Sequence, residues 1–473
     1  MAARPSVRPV SFTQLASGAA LLSEGYCNGI MGAVITVLTR EYPESQFGTQ
    51  YYSKVLASIT FPGIVCGALI FGWTSDRRLR IGLAGVLVLY CSVFTSVWSS
   101  IPVDVGVLVS RLCFLRFLLG IGVGAGHPSV LVHASELAEL ESTSENVQYR
   151  WLVVATNTMI NVGFAIAAFV PLVLYWMLEE YFDAVWGLSI GFGTVSAFLW
   201  WPPSGRCNSL ERIPYWLTFK RYWKDLLRLS LSWFIYGFIA YPLCIYSSMV
   251  MNSIMGGSSS LLIVFGWSIV ISLLSLAGTV LGAFIIDYLG PKTTMIVGLL
   301  LQAAIGFGMG VMHSPLNNHI TVFALVYGIF LSLGELGPGN CLSVLAARTA
   351  PLAIREWFYG IVVAVGNVGA VIGIWFFPNI IDAFGGSKTM KGNTGPFWIF
   401  SGLAILSVLV TFFMRKPCTH DGIKTENKAF CQYLKENGFD VSLASPSGNV
   451  SSSIRHRQDE KLATSGSKLR KVM

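Results

Sequence analysis

Two residues sit where a proton could be handled inside an apolar run: Glu24 in LLSEGYCNGIMG and His127 in GIGVGAGHP. A carboxyl withdrawn from water holds its proton more tightly, and imidazole is the side chain whose charge changes nearest physiological pH. Both suit a proton carrier, although each would also serve as a neutral core group satisfied by a neighbouring helix. Amides and phenols form a second set. Asn157 and Asn161 stand four apart and so share one helical face, where they would bind ligand hydroxyls and phosphate oxygens or pin helices together. Asn28 lies close to Glu24, and Tyr236, Tyr241 and Asn340 are further candidates for ligand contact. No nucleophile–base constellation, P-loop or metal-ligand spacing occurs, so an enzyme, a cofactor and a metal site are not expected. The nine cysteines are scattered, with no C-x-x-C.

The elements that must position these residues follow from composition. The chain has 473 residues, of which 53% are hydrophobic and 12% charged, and its mean hydropathy is +0.63. Soluble domains carry roughly 25% charged residues, and about 20 apolar residues span a bilayer as a helix. Apolar runs recur at 12–38, 52–74, 80–100, 107–136, 151–177 and 182–201, then at 226–251, 260–287, 293–312, 319–347, 356–380 and 396–414. The expected fold is therefore an all-α membrane protein of twelve transmembrane helices in two six-helix bundles, 1–201 and 226–415. A cytoplasmic loop, 202–225, joins them, and a disordered cytoplasmic tail, 416–473, lacks a hydrophobic period. The lipid bilayer is the partner this composition demands. The net charge of +8 reflects basic cytoplasmic loops rather than nucleic acid. Lys and Arg concentrate on one set of loops, which puts both termini and the central loop in the cytosol; the sequon at Asn449 then falls on the unglycosylated side.

Charge motifs repeat between the halves. GWTSDRRLR carries Asp76, Arg77 and Arg80 after the second run, and GAFIIDYLGPK carries Asp287 and Lys292 at the matching place in the second half. Such clusters can pair across helices in one conformation and separate in another, the requirement for a gate; positive-inside bias alone is the plainer reading. Paired halves are the architecture of alternating-access transporters. Arg116, Glu136, Arg150 and Arg355 read as further gating or fold-stabilising charges.

Several stretches carry a resemblance. LRFLLGIGVGAGHPSVLVHASELAE resembles the fourth-helix signature of phosphate:proton symporters and fungal glycerophosphoinositol permeases of the major facilitator superfamily. LLSEGYCNGIMG is similar to the permeases' acidic first helix, YRWLVVATNTMINVGFAIAAFVP to their fifth, and SWFIYGFIAYPLCIYSS to their seventh. YGIFLSLGELGPGN and REWFYGIVVAVGNVGAVIG resemble their tenth and eleventh. The resemblance implies a monomeric secondary transporter in the plasma membrane. Its small-molecule substrate would be a glycerophosphodiester such as glycerophosphoinositol, carried with a proton. Inorganic phosphate or another polar metabolite, without proton coupling, is the alternative, and a non-transporting sensor a weaker one. The resemblance also implies a ligand-contacting amide near Asn161. Glu335, in GELGPGN, belongs to a pattern the permeases share and would equally bond within its own broken helix. The departures matter too. The resembled proteins have an acid at Gly126, a tyrosine at His127, an aspartate at Gly237 and a lysine at Asn367, so their anion-binding chemistry does not transfer whole. His127 and Asn367 become the residues to weigh there, His127 for both proton and substrate.

GIGVGAGHP itself is no dinucleotide fingerprint, since its glycines recur at every second position inside a membrane run. Gly120 with Gly124, and Gly122 with Gly126, instead form small-xxx-small pairs that admit a neighbouring helix.

Overall fold

The computed structural model describes residues 12–43, 51–71, 77–99, 101, 104–141, 148–178, 181–193, 214–255, 260–312, 320–415 and 420–439. A bilayer offers no hydrogen bonds to the backbone, so each apolar run must satisfy its own N–H and C=O groups and becomes a helix. The first half holds α1 (Phe12–Glu41), α2 (Tyr51–Ser58 continued by Thr60–Phe71) and α3 (Arg77–Ser99). It continues with α4 (Val105–Glu141), α5 and α6 (Phe182–Gly191). Within α5, Gln148–Val153 and Met159–Met177 flank a π-helical turn, Val154–Thr158. The second half holds α7 (Tyr215–Ile254), α8 (Leu261–Leu289), α9 (Pro291–Val311), α10, α11 (Arg355–Ala383) and α12 (Met390–Phe412). A second π turn, Glu335–Gly339, lies in α10 between Ile320–Gly334 and Asn340–Thr349. Ten of these, among the described residues, are long and apolar enough to cross a membrane, and α3, with its apolar stretch Ala84–Val97, and α6 complete the twelve. Large apolar side chains such as Ile70, Val86, Trp176, Leu281 and Phe412 stay exposed, as they must where the surrounding solvent is lipid.

The helix pairing repeats after six. α1 packs on α5 as α7 does on α11, α2 on α4 as α8 on α10, and α3 on α6 as α9 on α12. Between the halves, α5 lies against α8 and α11 against α2, with α1 against α7 between them. The two bundles are thus pseudo-symmetric. Glycine makes the closest of these approaches possible. A Cβ at Gly120 would lie 2.1 Å from the Thr60 carbonyl oxygen, and one at Gly124 2.1 Å from that of Ile64. Gly122, on another side of α4, faces Ala84 and Leu87 of α3.

Two expected boundaries are corrected together. The segment 215–225, expected in the central loop, is the first three turns of α7, and within the expected disordered tail His420–Glu436 form a helix, α13, while 416–419 and 440–473 lie outside the described residues. Neither segment is apolar enough to register as a membrane run, yet Ile423, Phe430 and Leu434 repeat at helical spacing and are buried. The two cover one another: Glu426 accepts hydrogen bonds from Arg221 (3.1 Å) and the Tyr222 hydroxyl (2.6 Å), and Asn427 accepts from the Leu352 N–H (3.1 Å). Burial alone would raise the Glu426 carboxyl, but the bonds from Tyr222 and Arg221 outweigh it and hold the group below its ordinary value. Its contribution to docking is therefore complete above the usual carboxylate range, about 4.3, and is lost as pH falls through the lowered folded value. Protection factors across α13, exchange rates corrected for the intrinsic rate at each pH, are expected to be high at neutral pH and to fall on acidification below that range; Glu426→Gln should be less protected at neutral pH and lose the acid step.

Candidate functional site

A cavity lies between the halves, walled by Glu24 of α1, His127 of α4, Asn157 and Asn161 of α5, Trp233, Tyr236 and Tyr241 of α7, Glu335 of α10 and Asn367 of α11. Flush packing of α4 on α2 through Gly120 and Gly124 carries His127 inward to α1. There its Nδ1 meets Glu24 Oε2 directly, and both side chains are buried. The two candidate proton groups, 103 residues apart in the chain, are one pair.

The second cluster is centred on Glu335. Its Oε2 accepts hydrogen bonds from the amides of Asn157 (2.9 Å) and Asn161 (3.0 Å), and its Oε1 accepts one from the Tyr236 hydroxyl (2.7 Å). Asn157 also donates to Asn340 Oδ1 (2.8 Å), and Ser275 donates to Asn161 Oδ1 (3.1 Å). Asn157 and Glu335 each sit in a π turn, the local widening of a helix that often accompanies a functional site. In α10 Pro338, which has no N–H to donate to the helix ladder, lies inside the turn. Glu335 therefore does not close a bond within its own broken helix. Its partners come from α5, in the other half, and from α7. The rule that singles out Glu24, an acid inside an apolar run, reaches Glu335 as well, and Trp233 is a further wall residue that sequence reasoning passed over.

Other expected residues fall elsewhere. Asn28 is buried outside this cavity wall. Asn340 is wholly buried behind it, donating to the Thr279 carbonyl (2.8 Å), and so links helices rather than facing the cavity. Arg116 donates to Thr60 Oγ1 (2.9 Å) and the Cys27 carbonyl (3.1 Å), all within the first half, so it staples α4 to α2 and α1 and does not bridge a gate. Lys292 caps the Phe412 and Met414 carbonyls at 2.8 and 2.6 Å, inside the second half. Glu136 stands half-buried in α4. Asp76 and the side chains of Arg77 and Arg80 lie outside the described residues. Gly237 replaces the resembled aspartate for a steric reason: a Cβ there would lie 2.2 Å from the Gly366 carbonyl oxygen, so α7 and α11 touch where an acid and a lysine would need room. Asn367, in the lysine's place, donates to the Val363 carbonyl (2.8 Å) and faces the cavity.

The halves meet at both ends of the cavity. On the side expected to face the cytosol Arg150 of α5 pairs with Asp287 of α8 through side chain (3.1 Å) and backbone N–H (3.1 Å), and Arg355 of α11 donates to Ser135 of α4 (3.3 Å). On the outer side Arg40 of α1 donates to Asn252 of α7 (2.7 Å), Lys54 of α2 to Asn379 of α11 (2.9 Å), and the Trp375 indole of α11 to Ser58 of α2 (3.0 Å). Contacts between the halves thus stand on both sides of the site. Removing one partner of this half-buried pair takes away a link between the halves. Asp287→Asn is accordingly expected to favour the cytoplasm-open form, read as a longer distance between spin labels at the cytoplasmic ends of α5 and α8. An unchanged distance distribution would remove the pair from any gating role.

The comparisons with known proteins agree with this architecture. The sequence pattern of the sugar (and other) transporter family matches residues 12–206 and 209–428. A glycerophosphocholine permease of Candida albicans is 35% identical over 463 residues, 94% of this chain and 85% of that protein. The major glycerophosphoinositol permease of the same organism is 35% identical over 454 residues, 92% of this chain and 84% of that one. Among solved structures, the proton:xylose symporter XylE, bound to 6-bromo-6-deoxy-D-glucose, superposes with a TM-score of 0.69 at 17% identity, covering 87% of this chain and 98% of its own. With its twelve helices, its repeated bundles and its sequence match, this integral, multi-pass membrane protein has the major facilitator fold and belongs to the sugar (and other) transporter family.

Proposed function

We propose that the chain is a secondary transporter of the plasma membrane that carries a glycerophosphodiester, such as glycerophosphoinositol, together with a proton by alternating access. The observation that carries this reading is the buried Glu24–His127 pair lining a cavity between the halves. A carboxyl and an imidazole in contact share and release a proton without a free charge in the bilayer. The names of the relatives supply the substrate class. Transport then follows from the contacts already described. In one state the cytoplasmic set, Arg150–Asp287 and Arg355–Ser135, holds while the outer set parts; in the other the outer set holds. The links from Asn157 and Asn161 to Glu335 cross the halves at the level of the cavity and must exchange when the halves separate. Substrate hydroxyls and phosphate oxygens, which can replace them one for one, couple binding to that exchange.

Uptake of labelled glycerophosphoinositol, glycerophosphocholine and inorganic phosphate into transporter-deficient cells, at two external pH values, tests the reading. Saturable uptake of a glycerophosphodiester, faster at the more acidic pH, is the expected result. Phosphate uptake alone would overturn the substrate class, and pH-independent uptake the coupling.

A further inference from the structure

The charged groups in the cavity wall, among the described residues, are Glu24, His127 and Glu335. Glu24 and His127 face one another. Glu335 accepts three hydrogen bonds, all from neutral donors, and pairs with no Lys, Arg or His among the described residues. Three donors directed at its two oxygens suit Glu335 as a carboxylate, which is acceptor-only. The wall thus holds an anion at bilayer depth with no cation of its own, and such a charge is retained where it meets one brought from outside. The surfaces beside it are aromatic. Tyr236 bonds to it, and Trp233, Tyr241 and Phe164 line the same cavity. Tyr241 lines the cavity together with both carboxyls.

Taking the reading above, that this cavity carries a glycerophosphodiester, we infer that Glu335 with the aromatic wall is a cation subsite, and that the preferred substrate bears a quaternary ammonium head group. A carboxylate among aromatic faces is the environment that draws such a cation, which forms no hydrogen bonds and so needs charge and π-faces rather than oxygen ligands. Charge balance favours the same substrate. With Glu24 and His127 compensating one another, the wall carries the single negative charge of Glu335. An anionic phosphodiester adds a second, whereas a zwitterionic one adds none and sets its ammonium against Glu335 while its phosphate lies toward His127. Within the cavity the head group and the phosphate are then held at opposite ends.

The test is the ratio of half-saturation concentrations for glycerophosphocholine and glycerophosphoinositol, measured in cells carrying the full-length chain at matched surface amounts. Wild type is expected to favour glycerophosphocholine by about tenfold or more. Glu335→Gln should erase that preference, and Glu335→Asp, which keeps the charge, should retain part of it. Trp233→Leu should weaken glycerophosphocholine selectively, with glycerophosphoinositol as the internal reference for folding. An equal loss for both substrates in Glu335→Gln and Trp233→Leu overturns the subsite, as does a wild-type preference for glycerophosphoinositol. Loss of pH dependence in Glu335→Gln with the substrate ratio unchanged would make Glu335 a proton group and likewise overturn it. Failure of wild type to take up either diester defeats the transport reading on which the subsite rests and is told apart by that control.

Discussion

Glu24→Gln and His127→Ala are each expected to abolish pH-driven uptake. The two side chains are in contact, both are buried, and they line the cavity. Glutamine keeps the size of Glu24 but cannot release a proton, and alanine leaves the carboxyl with no imidazole to exchange with. Removing a positioned proton-transfer group costs about 10²–10⁴-fold in rate, so a loss on the order of 100-fold or more is expected. Uptake at two external pH values, normalised to surface protein, checks it. The double variant should lose no more than either single, because the pair acts as a unit. Undiminished, still proton-dependent transport in both single variants would end the assignment.

Gly124→Val should abolish folded protein at the membrane rather than alter transport. A Cβ at Gly124 lies 2.1 Å from the Ile64 carbonyl oxygen and 2.8 Å from its Cα, so the obstacle is backbone that no rotamer can clear. Overpacking a side chain costs about 1–3 kcal/mol; here α2 and α4 must separate, which also withdraws His127 from Glu24. The expected result is at least a tenfold fall in protein eluting as a single detergent-solubilised species. Gly402→Val is the control, since a Cβ at Gly402 meets nothing within 4 Å. Equal yields from the two variants would refute the account of the glycine stripe.

His127 and Glu335 mark how far local pattern reaches. That His127 sits in an apolar run was legible, and so was the acid at Glu24, because each is costly where it stands. Their contact was not, since it depends on how far α4 is rotated and how close the glycines let it approach. For Glu335 the sequence left open a bond within its own helix; three donors from α5 and α7 take that place. Asn28 and Asn340 show the converse, lying off the cavity wall in this structure. Each has the residue type of a ligand contact, but a helix presents every side, and one residue's position around its axis decides between cavity and core. Arg116 and Lys292 looked like gate charges because cations near membrane boundaries pattern alike, whether they bond across the halves or, as here, within one. The helix α13 was missed because only a few apolar residues on one face distinguish it from a polar tail, and that face is meaningful only once 215–225 is there to cover it.

By itself the sequence determined the medium, the number of spans, the two halves and the class of side chain available for proton and substrate chemistry. It could do so because a bilayer penalises every unsatisfied polar group, which leaves a long apolar run only one structure to adopt. The tertiary structure alone decided which polar groups meet. Glu24 joins His127, Asn157 and Asn161 join Glu335, and Arg150 joins Asp287 through helix rotations and inter-half contacts summed over side chains far apart in the chain. Those contacts are set by packing, and packing is not a local property of sequence.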